Sequence, residues 1–167
     1  VAPVAAQTAK RPAPVRDLET IARMVDENEL GSAEQQLRRM LAHGGGPATR
    51  DLLGVVLVKQ KRLEEAERQF QRALAADPGL LDARQHLARL YLDQNREAAA
   101  VAELRRAAQQ GPLARDLALR LAGVERAEGH TRQAARQLRS VADRFRSVRA
   151  LLELARLQSS QSDAVGA

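Results

Sequence analysis

The chain has no cysteine and no tryptophan, and aromatic residues make up only 2% of it. Without cysteine there is no disulfide, no thiolate metal site and no cysteine nucleophile, and either a reducing or an oxidising compartment suits the sequence. The three histidines, His43, His86 and His130, stand far apart, with no second ligand at metal-binding spacing, so no metal is expected. No apolar run approaches the roughly 18 residues of a membrane span. There is no Gly-x-Gly-x-x-Gly, no phosphate loop and no Gly-x-Ser-x-Gly. The Gly44-Gly45-Gly46 run has no Lys-Ser/Thr after it and no strand before it, so it reads as a flexible joint and not a phosphate cradle. Neither catalysis, nor a cofactor, nor a small-molecule substrate is expected. Lysine is scarce, at positions 10, 59 and 61 only, so the net charge of +6 comes almost wholly from arginine.

What is present is helical. Ala, Leu, Arg, Glu and Gln dominate, all good helix formers, and the clustering of Gly and Pro at a few places argues against a β-sandwich. The strongest signal is a period. Pro78 and Pro112 lie 34 residues apart, and the residues between them recur in phase. A shift of 34 takes Leu53 to Leu87 and Leu121, Gly54 to Ala88 and Ala122, and Ala66 to Ala100 and Ala134. Phe70 becomes Leu104 and then Leu138, and Ala73 becomes Ala107 and then Val141. A fixed period of this length means stacked supersecondary units, each too small to bury its own apolar face.

The clearest unit spans 47–80. Leu53, Gly54 and Leu57 share one face of a first helix, and Gln60-Lys61-Arg62 breaks the pattern as a turn. Leu63, Ala66, Phe70, Ala73 and Leu74 line a second helix, which Asp77-Pro78-Gly79 stops. Leu53-Gly54-x2-Leu57, then Ala66-x3-Phe70-x2-Ala73, then Pro78 resembles a tetratricopeptide repeat, a helix–turn–helix unit of 34 residues. The unit over 81–114 keeps the pattern through Leu87, Ala88, Tyr91, Ala100, Leu104, Ala107 and Pro112. It departs at Glu97, where a looser turn is expected. The unit over 115–148 is degenerate. Gly129 supplies its turn and Thr131 reads as an N-cap, but Glu125 stands where a large apolar residue is expected and Arg146 replaces the proline.

Residues 15–46 read as a divergent first hairpin about one residue out of phase. Leu18, Ile21, Ala22 and Val25 form one face, Gly31 breaks the helix, and Ser32-x2-Gln35 reads as a capping box ahead of Ala33, Leu37, Met40 and Leu41. Ala150, Leu151, Leu154 and Leu157 fit a closing helix over 149–158, which a solenoid needs to cover its last stacking face. A flexible Ala/Pro linker is expected over 1–14 and a polar, disordered tail over 159–167. The expected fold is all-α: four hairpins and a C-terminal cap, which the resemblance implies curve as a right-handed α-solenoid.

The resemblance also implies that the first helix of each repeat lines a concave groove that holds a protein or peptide partner. The corresponding positions are Asp51, Val55 and Lys59, then Asp82, Gln85, Arg89 and Asp93, then Asp116, Leu119, Gly123 and Arg126. The subgroup that grips chaperone tails carries a Lys/Asn/Arg clamp. Asp51, Val55, Arg89, Asp116 and Arg120 stand at those positions here, mostly of the wrong type, which argues against such a ligand. The alternative surface is the third repeat, with eight arginines against four acids and with Arg132, Arg136 and Arg139 as a stripe on one helix face. That stripe would serve an acidic surface or nucleic acid, although single-strand binders interleave aromatics and this repeat has only Phe145. The expected function is a non-catalytic scaffold or adaptor within a larger assembly. The Ala/Pro stretch, of the kind that follows a removed signal peptide or a membrane anchor, points to a bacterial periplasm or cell envelope, with the cytoplasm as the alternative.

Overall fold

A computed structural model describes the backbone of residues 17–165 and the side chains as far as Gln158. The linker expected over 1–14 lies outside the described residues. Among the described residues there are nine helices and no strand: α1 (Leu18–Asp26), α2 (Leu30–Ala42), α3 (Pro47–Lys59), α4 (Leu63–Ala76), α5 (Leu81–Asp93), α6 (Glu97–Gln110), α7 (Arg115–Ala127), α8 (Thr131–Phe145) and α9 (Val148–Val165). They pair as α1/α2, α3/α4, α5/α6 and α7/α8, each hairpin stacked on the next, with α9 laid against α8. No helix is long and apolar enough to cross a membrane among the described residues.

One device makes every hairpin turn. Asn28, Lys61, Asn95 and Gly129 have φ of 64°, 64°, 58° and 79°, the left-handed conformation that ends a helix. After each, the next backbone N–H reaches back five residues: Glu29 to the Met24 carbonyl at 2.8 Å, Arg62 to Leu57 at 2.9 Å, Arg96 to Tyr91 at 2.8 Å and His130 to Glu125 at 2.7 Å. This closure satisfies carbonyls that the end of the first helix would leave open, and the second helix begins at once. The spacing between left-handed residues is 33 from Asn28 to Lys61 and 34 thereafter, which locates the phase slip of the first hairpin.

The same closure corrects four expectations. Because Asn28 is the stop, α2 starts at Leu30, and Gly31 and Ser32 lie inside its first turn; the chain break is not at Gly31 and no capping box forms. Glu97 does not loosen its turn, since the bonds at Asn95 and Arg96 match those of the other hairpins. Thr131 is the first residue of α8, with His130 at the N-cap. The triple glycine is a built cap and not a free joint. Gly44 has φ of 90°, and the Gly45 N–H bonds to the Met40 carbonyl at 2.8 Å.

Packing follows the repeat pattern. Leu53, Leu57, Ala66, Phe70 and Ala73 are each at most 1% exposed, and Leu87, Leu104, Leu121, Ala134 and Leu138 continue the core through the later hairpins. Gly54 faces the Phe70 ring so closely that a Cβ there would lie 2.4 Å from ring carbon Cε1. In the next two repeats the small residue is alanine and its partner shrinks to leucine, Ala88 with Leu104 and Ala122 with Leu138. Between repeats, Arg84, only 8% exposed, donates to Glu103 at 2.7 Å and to the Pro78 carbonyl at 2.7 Å, pinning the loop that ends α4.

The C-terminal end differs from expectation in two ways. With Arg146 in place of proline, α8 runs 15 residues and stops at Arg146 in the left-handed region, φ 48°. Then α9 continues through Val165, over residues where a disordered tail was expected. Ala150 and Leu157 are buried as a cap requires, whereas Leu151, grouped with them by spacing, is 53% exposed.

The Gly54–Phe70 contact is directly testable. Gly54→Ala should destabilise the protein by about 1–3 kcal/mol through overpacking. Adding Phe70→Leu should recover part of that loss, since it recreates the Ala/Leu pair of the following repeats. Chemical denaturation of both variants measures the coupling; a single variant as stable as the parent would contradict the close contact.

Candidate partner-binding surface

The first helices do form one wall, but the groove positions inferred from sequence divide into two groups. Asp51 is 8% exposed and its Oδ1 lies 2.8 Å from His86 Nδ1, while the His86 ring packs 5.7 Å from that of Phe70. Lys59 donates to the Val25 carbonyl at 3.3 Å, at the C-terminal end of α1 where a cation is favoured. Gln85 is 9% exposed and accepts the Ala114 N–H at 2.6 Å, tying α5 to the start of α7. Val55 is half-buried against the core. Asp51, Lys59 and Gln85 thus bond a neighbouring repeat and Val55 packs on the core, although Lys59 stays exposed and Gln85 still edges a depression along the wall.

The remaining positions are accessible. Asp82, Asp93, Asp116, Gly123 and Arg126 are exposed, and Arg89 and Leu119 half-buried. Arg89 and Asp116 bridge adjacent repeats at 2.6 Å. Burial works against the Asp116 carboxylate, but the hydrogen bond and the charge of Arg89 outweigh it together and hold its pKa below the ordinary value.

Three depressions run along this wall. One of about 400 Å³ is lined by Asp82, His86 and Arg89 of α5 and by Ala114 ahead of α7. A second of about 570 Å³ lies between Arg115, Asp116, Leu119 and Arg120 of α7 and Arg149 of α9. A third, of about 130 Å³, sits over Gly123, with Leu119, Ala122 and Leu138 apolar around it and with Arg126, Arg149 and Glu153 at its edge. The Arg89–Asp116 bridge joins the first to the second, and Leu119 and Arg149 are common to the second and third. Above Gly123 there is open space where a Cβ would stand. The share of α9, through Arg149 and Glu153, was missed in the sequence, where that helix had only a capping role. The spacing of Arg149 and Glu153 at i and i+4 was the available signal.

Arg132, Arg136 and Arg139 are exposed on α8 and line none of these three depressions. Arg144 of the same helix does line the first depression, and it donates to the Leu113 carbonyl at 3.0 Å. Among the described residues no group of three or more His, Asp or Glu side chains could hold a metal ion.

Two family profiles described as tetratricopeptide repeat match residues 57–122 and 25–80, together more than half of the chain. The chain belongs to the tetratricopeptide repeat family. Among solved structures, a tetratricopeptide repeat protein from Parabacteroides merdae is similar with a TM-score of 0.65 and 20% identity over 87% of this chain; the chain spans 59% of that protein. MamA is similar with a TM-score of 0.63, 15% identity, and coverage of 88% of this chain and 86% of that one. YrrB, described as a tetratricopeptide repeat protein with an unusual peptide-binding site, follows at 0.58 and 18%, covering 81% and 71%. At these identities the likeness is one of fold. No match was found among curated protein sequences.

One repeat position departs from the pattern with an electrostatic consequence. Glu125 of α7 is 4% exposed, and burial pushes its carboxyl pKa up despite nearby Arg105 and Arg136. A carboxyl whose pKa is raised by folding stabilises the fold below its unfolded pKa and loses that contribution as pH rises through the folded value. Glu125→Gln should therefore raise the melting temperature at pH 7–8 and change it less near pH 4. Thermal melts across that range check it, and an equal effect at both ends would contradict the burial cost.

Proposed function

We propose that this tetratricopeptide protein is a scaffold whose wall along α5, α7 and α9 holds an extended segment or helix of a partner protein. The observation that carries this reading is the continuity of the three depressions across successive repeats, from His86 to Glu153. A continuous track offers backbone-length contact, and the socket over Gly123 offers a seat for one apolar side chain within a rim rich in arginine. The peptide-binding site named for YrrB supports the same class of ligand. The absence of nucleophile–base pairs and phosphate-cradling motifs in the sequence supports a non-catalytic role. The Ala/Pro-rich stretch at 1–14 supports placement in a bacterial periplasm or envelope assembly, with the cytoplasm as the alternative.

A second reading uses Arg132 and Arg139, which are exposed on α8 and have no carboxylate partner among the described residues. It would take an acidic surface or nucleic acid. Binding through several phosphates would fall steeply between about 50 and 200 mM salt, and a groove-held peptide would weaken less.

The double reversal Arg89→Glu with Arg126→Glu should abolish capture of the native partner, by about a hundredfold or more in affinity, while helicity and melting stay near those of the parent. The matched reversal Arg132→Glu with Arg139→Glu should spare it. Binding measured on both purified variants decides the matter, and loss confined to the second pair would move the site to α8.

A further inference from the structure

Tyr91 shows what its repeat position ordinarily does. Its ring, 7% exposed, is covered by the Arg96 guanidinium at 4.2 Å from the ring centroid, and its hydroxyl donates to Glu67 Oε1 of α4 at 3.0 Å. The ring thus fills the space where one hairpin's second helix meets the next hairpin. Thirty-four residues on, the same position holds Glu125.

The shorter side chain leaves that space open. A cleft of about 370 Å³ lies there, lined by Arg105 and Gln109 of α6, by His130 at the N-cap of α8, by Gln133, Arg136 and Gln137 of α8, and by Glu125. Glu125 Oε2 is buried with no hydrogen-bond partner. Buried polar atoms are nearly always bonded, so this one marks an unmet acceptor at a cleft. Arg105 is engaged by Glu128, and Arg136 is exposed at the rim.

We propose that this cleft is a socket for the tyrosine side chain of a partner protein, its ring lodged between α6 and α8 and its hydroxyl donating to Glu125. The chemistry selects among side chains. An ammonium or guanidinium group would meet the unpaired charge of Arg136 on entry, with Arg105 already neutralised by Glu128. A carboxylate would be brought up to Glu125. An aliphatic group would leave the Glu125 oxygen without a donor. A phenol supplies the donor on a neutral planar body, and arginine at the rim can cover its face as Arg96 covers Tyr91. The socket lies apart from the wall along α5, α7 and α9, so it stands or falls independently of that surface.

The probe is p-cresol, with toluene, butylammonium and propionate as comparisons, and the readout is the side-chain amide NMR signals of Gln109, Gln133 and Gln137. Saturable shifts with p-cresol at millimolar concentration are expected, with toluene weaker by about tenfold or more because it lacks the donor. Glu125→Tyr should refill the space from inside, raise the melting temperature and abolish the shifts. Glu125→Leu, which removes the acceptor, should erase the preference for p-cresol over toluene. No binding of p-cresol, equal binding of toluene, stronger binding of butylammonium or propionate, or an unchanged preference in Glu125→Leu would each overturn the proposal.

Discussion

The structure depends on how closely the two helices of a hairpin approach. Gly54 against Phe70 sets that distance in one repeat, and the equivalent positions of the next two hold Ala88 and Leu104, then Ala122 and Leu138, all buried in one cluster. A small residue on one helix admits a large one from the other, and dense interiors leave little slack for any other combination. With that separation fixed, one left-handed residue per hairpin can turn the chain within two positions, and the following hairpin stacks at a constant offset. The period of 34 is the sequence trace of this geometry.

That is why the fold was legible. Spacing, residue size and the stops at Pro78 and Pro112 report backbone geometry directly, and the cores around Leu53, Phe70, Leu87 and Leu121 lie where the period places them. Features set by competition between local signals were less so. Gly31 and Ser32 look like a break and a cap, but Asn28 accepts a left-handed conformation first, and the helix has already restarted when they arrive. The extent of α9 was hidden because a polar composition does not distinguish an exposed helix from a tail.

The candidate surface was half legible. A position on the first helix marks which way a side chain points but not whether a neighbouring repeat has claimed it. Asp51, Lys59 and Gln85 stand on the first helices and bond His86, the Val25 carbonyl and the Ala114 N–H. Their partners lie 29 to 35 residues away, beyond the reach of local pattern. What stays open is the wall from α5 to α9, where exposed ion pairs such as Arg89–Asp116 contribute little to stability and can be exchanged for contacts with a ligand. The outward face of α8, richer in arginine, lines none of that track.

The most direct test places a photo-crosslinking residue at Gly123, where a Cβ would meet open space, and separately at Arg139, exposed on α8 and outside the three depressions. Irradiation in the native cells should yield a discrete adduct with one partner protein from position 123 and none from position 139. Adducts from position 139 alone would contradict the assignment of function to the wall formed by the first helices.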